Sequence, residues 1–143
     1  MGTKTFAILT DIHSNLAALE HGISIIEDRK GVDQLVCLGD CFALGPSPKE
    51  TLSTLKGLDN CIFIRGNHDR YLIEKLWEQE QPSLEGMDPY DPICQAIVAN
   101  VKWTAEQLGQ DGLDIALELN VAHWEFIAYI LVECITAWNQ RDH

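Results

Sequence analysis

Three short apolar runs, each passing directly into a turn of acidic, amide or imidazole side chains, constrain this chain more than any other feature. Phe6-Ala7-Ile8-Leu9-Thr10 leads into Asp11-Ile12-His13, Leu35-Val36-Cys37-Leu38 into Gly39-Asp40, and Cys61-Ile62-Phe63-Ile64 into Arg65-Gly66-Asn67-His68-Asp69. Runs of this length bounded by turn residues read as buried strands. In an open α/β sheet, ligands bind beyond the C-terminal ends of such strands. The pattern therefore delivers Asp11, His13, Asp40, Asn67 and His68 to one edge. Each cluster alone is an ordinary turn or helix cap. Three in order, each behind a strand, point to a metal site.

The connecting segments fit that reading. Leu16, Leu19, Ile23 and Ile26 recur at helical spacing from Asn15 to about Arg29, with Ser14 or Asn15 as N-cap and Gly31 as terminator. A strand from about Gln34 to Leu38 follows, so the first unit is βαβ with parallel strands. Gly45-Pro46-Ser47-Pro48 breaks the chain before a short helix over Lys49 to Leu55, which Gly57 stops. Arg70 to Glu78 reads as helix, Gln79 to Pro92 as a proline-rich surface loop, and Ile93, Ile97, Val101 and Leu108 as a helix running to Gly109. Leu113, Ile115, Leu117, Leu119 and Val121 alternate with Asp114, Ala116, Glu118, Asn120 and Ala122, which predicts a half-buried strand with His123 in line with its apolar side. Trp124 to Trp138 reads as an apolar helix that must pack on something.

A length of 143 residues suits a single domain over 1–143. The N-terminus has no apolar secretory segment, and the longest apolar stretch falls short of the ~20 residues a membrane span needs. A cytoplasmic protein is expected. Twenty-two acidic residues against ten basic give a net charge of −12, which disfavours duplex nucleic acid and anionic membranes as partners. An anionic substrate meets the same field, and bound divalent metal would reverse it locally. The five cysteines contain no C-x-x-C pair, so they form neither a disulfide framework nor a zinc ribbon; Cys41 merely adjoins Asp40.

Asp11 and His13 can reach one ion from a single turn, Asp40 can bridge to a second, and the Asn67 carboxamide can complete that second site. Mixed oxygen and nitrogen donors suit Mn, Fe, Zn or Ni better than calcium. Two such ions ~3.5–4 Å apart would stabilise the attacking and leaving oxygens of a displacement at phosphorus. His68 could then donate a proton to the leaving alkoxide.

Asp11-Ile12-His13, Gly39-Asp40 and Gly66-Asn67-His68-Asp69 resemble the D-x-H, G-D and G-N-H-D/E signatures of the calcineurin-like metallophosphoesterase superfamily. Ser14 to Leu19, Gly45 to Pro48 and Trp103 to Leu108 are similar to its small prokaryotic phosphodiesterase, diadenosine-tetraphosphatase-like branch. The resemblance implies an α/β/β/α sandwich. It also implies two divalent ions held by Asp11, His13, Asp40 and Asn67, His68 as proton donor, and phosphate-ester or nucleotide substrates. Ala43 stands where many members carry an Asp that orients the catalytic histidine. The C-terminal G-H-x-H pair is absent from these 143 residues. The sandwich is therefore expected to be C-terminally shortened, with its uncovered face hidden by the Phe126 to Trp138 helix or by a second copy in a homo-oligomer. His123 is either a further metal ligand or a core histidine. The alternative function is a catalytically impaired protein-interaction module on the same scaffold.

Overall fold

A computed structural model describes residues 4–79, 81, 84 and 86–119. Three parallel strands, β1 (Phe6–Leu9), β2 (Gln34–Cys37) and β3 (Cys61–Phe63), pair in the order β1-β2-β3. Phe6 faces Gln34 and Leu9 faces Cys37 across the first ladder, and Leu35 faces Cys61 across the second. Helix α1 (Leu16–Asp28) connects β1 to β2 and α2 (Pro48–Lys56) connects β2 to β3. The result is a mixed α/β fold on a parallel sheet, as the pattern of apolar runs requires. No other sheet occurs among the described residues.

Local chemistry explains the boundaries. The Asn15 side chain accepts from the Ala18 N–H at 3.2 Å, so Asn15, not Ser14, caps α1. Pro48 opens α2 at the first turn, where its missing N–H costs nothing. Helix α3 (Asn67–Ile73) begins three residues before the position expected from sequence. Left-handed Lys75 (φ 54°) then separates it from a 3₁₀ turn over Leu76–Glu78.

Helix α4 (Pro92–Leu119) is interrupted at Gly109, whose φ of 66° and ψ of 178° only glycine adopts readily. Gly109 thus breaks the helix as expected, but the strand expected from Leu113 onward is helical through Leu119. The buried residues there are Gly112, Leu113 and Ala116, a helical spacing, while Leu117 is exposed. Ala116 behaves as a core residue, and the apparent alternation dissolves. Along the first half Val101 and Leu108 are buried and Ile97 packs on the core, as the expected stripe requires, whereas at its start Cys94 is buried in place of Ile93, which is 65% exposed.

The core joins Phe42, Leu52, Leu55, Tyr71, Leu72, Val101 and Leu108, with α4 packed on both α2 and α3, and Cys37 and Phe63 bring the sheet into the same cluster. Among the described residues no helix is long and apolar enough to cross a membrane.

Candidate metal centre

Backbone pairing continues past the strand ends and carries the polar side chains with it. Leu38 N–H donates to Leu9 C=O at 2.8 Å, Asp11 N–H to Gly39 C=O at 3.2 Å, and His13 N–H to Asp40 C=O at 2.9 Å. Ser14 N–H donates to Cys41 C=O at 2.9 Å. The β1 and β2 loops therefore leave the sheet zipped together. On the other side, Ile64 N–H reaches Cys37 C=O at 2.8 Å, and His68 N–H donates to Asp40 Oδ1 at 2.9 Å.

Glycine makes this closeness possible. A Cβ on Gly39 would strike the Gly66 backbone and stand 2.9 Å from Ile64 O, and a Cβ on Gly66 would collide with Asp40. The two glycines lie backbone against backbone. Gly39 also has φ +97°, a conformation that L side chains rarely adopt.

Asp11, His13, Ser14, Asp40, Ala43 and Leu44 all have φ between 45° and 64°. Such strained left-handed residues concentrate where structure serves function. Here the strain turns Asp11, His13 and Asp40 toward a common point. One donor atom from each lies within 4.8 Å of the others, and His13 Nε2 is 3.8 Å from Asp11 Oδ1. Thr10 Oγ1 donates to Asp11 Oδ2 at 2.7 Å and steadies that carboxylate. Asn67 is exposed on the first turn of α3, and His68 follows it with its ring edge-on to His13 at 5.2 Å between centroids.

The residues present suit a metal ion. Two carboxylates and an imidazole converge, and His13 Nδ1 and His68 Nδ1 are buried without a hydrogen-bond partner. Burial lowers the His68 pKa, Asp40 opposes that shift, the neighbouring His13 adds to it, and Asp11 opposes it. The neutral imidazole is thereby favoured.

One residue escaped the sequence reading. Asp69 is fully buried, and its carboxylate accepts from Cys41 and Phe42 N–H on one loop and from Gly66 N–H on the other. Burial pushes its pKa up to about 6 despite those three donors. The signal was available: an acid three residues after a helix N-cap is the return half of a capping box. Cys41 turns inward, with its sulfur 3.3 Å from that of Cys37, and is not in the donor group. His123, the further ligand considered, lies outside the described residues.

A family model described as calcineurin-like phosphoesterase matches residues 4–128. An uncharacterised protein of Methanocaldococcus jannaschii is 32% identical over 113 residues, which is 79% of this chain and 41% of that protein. A symmetrical bis(5'-nucleosyl)-tetraphosphatase of Psychromonas ingrahamii is 34% identical over 67 residues, 46% of this chain and 24% of its own. Among solved structures, a hypothetical protein from Pyrococcus horikoshii shares the fold (TM-score 0.66, 24% identity, 83% of this chain and 49% of that one). So does a metallophosphoesterase from Sphaerobacter thermophilus (TM-score 0.54, 28% identity, 82% of this chain and 42% of that one). This chain spans less than half the length of each of these relatives. On the match across residues 4–128, with three motifs brought to one sheet edge, the chain belongs to the calcineurin-like phosphoesterase family.

Proposed function

We propose that this chain hydrolyses phosphoester bonds, in phosphodiesters or nucleotides, with two divalent ions (Mn, Fe, Zn or Ni). The observation that carries the reading is the convergence of Asp11, His13 and Asp40 donor atoms within 4.8 Å, with Asn67 and His68 on the adjoining turn. Asp11, His13 and Asp40 would hold one ion, and Asp40 with the Asn67 carboxamide would be available to a second. Bound divalent ions supply Lewis-acid polarisation of the phosphoryl oxygens and local positive charge in a chain of net charge −12. His68, whose backbone N–H is anchored on Asp40, gives its ring proton to the alkoxide as the ester P–O bond breaks and a water oxygen joins phosphorus, and the proton that this water sheds restores the neutral imidazole. The likeness over 67 residues to a nucleosyl-tetraphosphatase supports nucleotides among the substrates.

The test is turnover of bis(p-nitrophenyl) phosphate by the full chain with Mn²⁺. The expected result is chelator-sensitive hydrolysis that falls roughly 10²-fold or more in His68→Ala. Turnover no higher than in that variant would reject catalysis.

A further inference from the structure

A cavity of about 460 Å³ opens beside the candidate centre, within the range of small-molecule sites. Asn67 and His68 form part of its wall, and much of the rest is apolar, with Leu44, Leu76, Met87 and Ile97. The cavity also contains Arg70, which is the cation a second phosphate group would need. That guanidinium is already engaged, however: Arg70 Nε lies 3.1 Å from Glu74 Oε2, and Arg65 is drawn to the same carboxylate at 3.4 Å. Among the described residues no other Lys or Arg lines the cavity. A polyanionic tail would have to share the one guanidinium of this space with Glu74. A flat apolar group would exchange water for Leu44, Leu76 and Ile97 at about 25 cal/mol per Å² buried.

Resting on the function proposed above, we propose that this cavity receives the alcohol portion of the phosphoester, and that this portion is aromatic or otherwise flat and apolar. Its position fits: the wall formed by His68 is the wall from which the departing alkoxide would draw its proton. The cavity therefore favours a flat, apolar alcohol over a small aliphatic one as the group that leaves phosphorus. A second apolar hollow, formed by Leu44, Pro92, Ile93, Ala96, Ile97 and Asn100, shares Leu44 and Ile97 with the first and extends the surface available to a larger group.

The experiment compares two probes of equal charge, 2-naphthyl methylphosphonate and ethyl methylphosphonate, by calorimetric titration of the full chain in Mn²⁺. The expected outcome is that the naphthyl compound binds at least about ten-fold tighter, and that Ile97→Lys removes most of this preference. Should that variant not fold, Leu76→Ala is the substitute, with a several-fold narrowing of the ratio. Equal affinities, no binding of either probe, or a preference untouched in a folded variant would each overturn the proposal. So would tripolyphosphate binding tighter than the naphthyl probe and losing that advantage in Arg70→Gln. Hydrolysis is read separately: a naphthyl preference without metal-dependent turnover keeps the cavity and discards the phosphoesterase, and turnover without preference does the reverse.

Discussion

The Asp69 carboxylate takes the Cys41 N–H at 2.9 Å, joining the first turn of α3 to the loop that carries Asp40. Phe42 N–H at 3.2 Å and Gly66 N–H at 3.2 Å complete its set of donors. With the side chain fully buried, no water replaces it. Removing the carboxylate strands backbone donors at about 1–3 kcal/mol each. Asp69→Ala should lose about 3 kcal/mol or more of stability in urea denaturation. A loss under about 1 kcal/mol would mean that the two loops are held by something else.

Gly31 and Gly39 have nearly the same backbone, φ +95° and +97°, in opposite surroundings. Nothing lies within 4 Å of a Cβ on Gly31, whereas one on Gly39 runs into Gly66. Gly31→Ala should cost only the strain of a left-handed alanine, about 1 kcal/mol. Gly39→Ala should cost several times more, or prevent folding. Thermal melts of the pair distinguish conformational preference from contact, and equal shifts would refute the interlock.

Divalent metal held by Asp11, His13 and Asp40 in the folded chain would have no such site in the unfolded one, so it should raise the melting temperature. At about 100 times the dissociation constant the gain is about 2.7 kcal/mol. The chelated protein should melt lower, and Asp40→Asn should lose most of the metal response. A melting curve indifferent to Mn²⁺ and to chelator would contradict the centre.

Cys61 offers a check on β3. Burial, with Cys37 nearby, pushes its thiol up to about 12 from 9.0. The thiolate is the nucleophile, so at pH 8 iodoacetamide should modify Cys61 roughly 10²-fold more slowly in folded protein than in urea. The rate should climb as pH rises toward that value. Peptide mass spectrometry reads the site, and equal rates in both states would place Cys61 outside the strand.

The sheet was legible because each strand is brief, apolar and closed by glycine or acid, and because parallel strands send all three C-terminal ends to one edge. Asp11, His13 and Asp40 followed directly. Less legible was everything set by contact rather than by period. Leu113 to Leu119 satisfies alternation on paper, yet the burial of Gly112 against Leu52 and of Ala116 makes it helical. Asn67 and His68 were read as lying before the helix when they form its first turn. Asp69 looked like one more turn residue, because nothing local reveals that its partners lie 27 and 28 positions away.

The contact between Gly39 and Gly66 has a dimensional consequence. Neighbouring strands stand about 4.8 Å apart wherever sheets occur, and these glycines let that pitch persist out to Asp40 and Asn67. The gauge of the candidate metal centre is thus inherited from main-chain hydrogen bonding. Altering a donor side chain would change the chemistry offered there, while the span between the two loops stays as the sheet dictates.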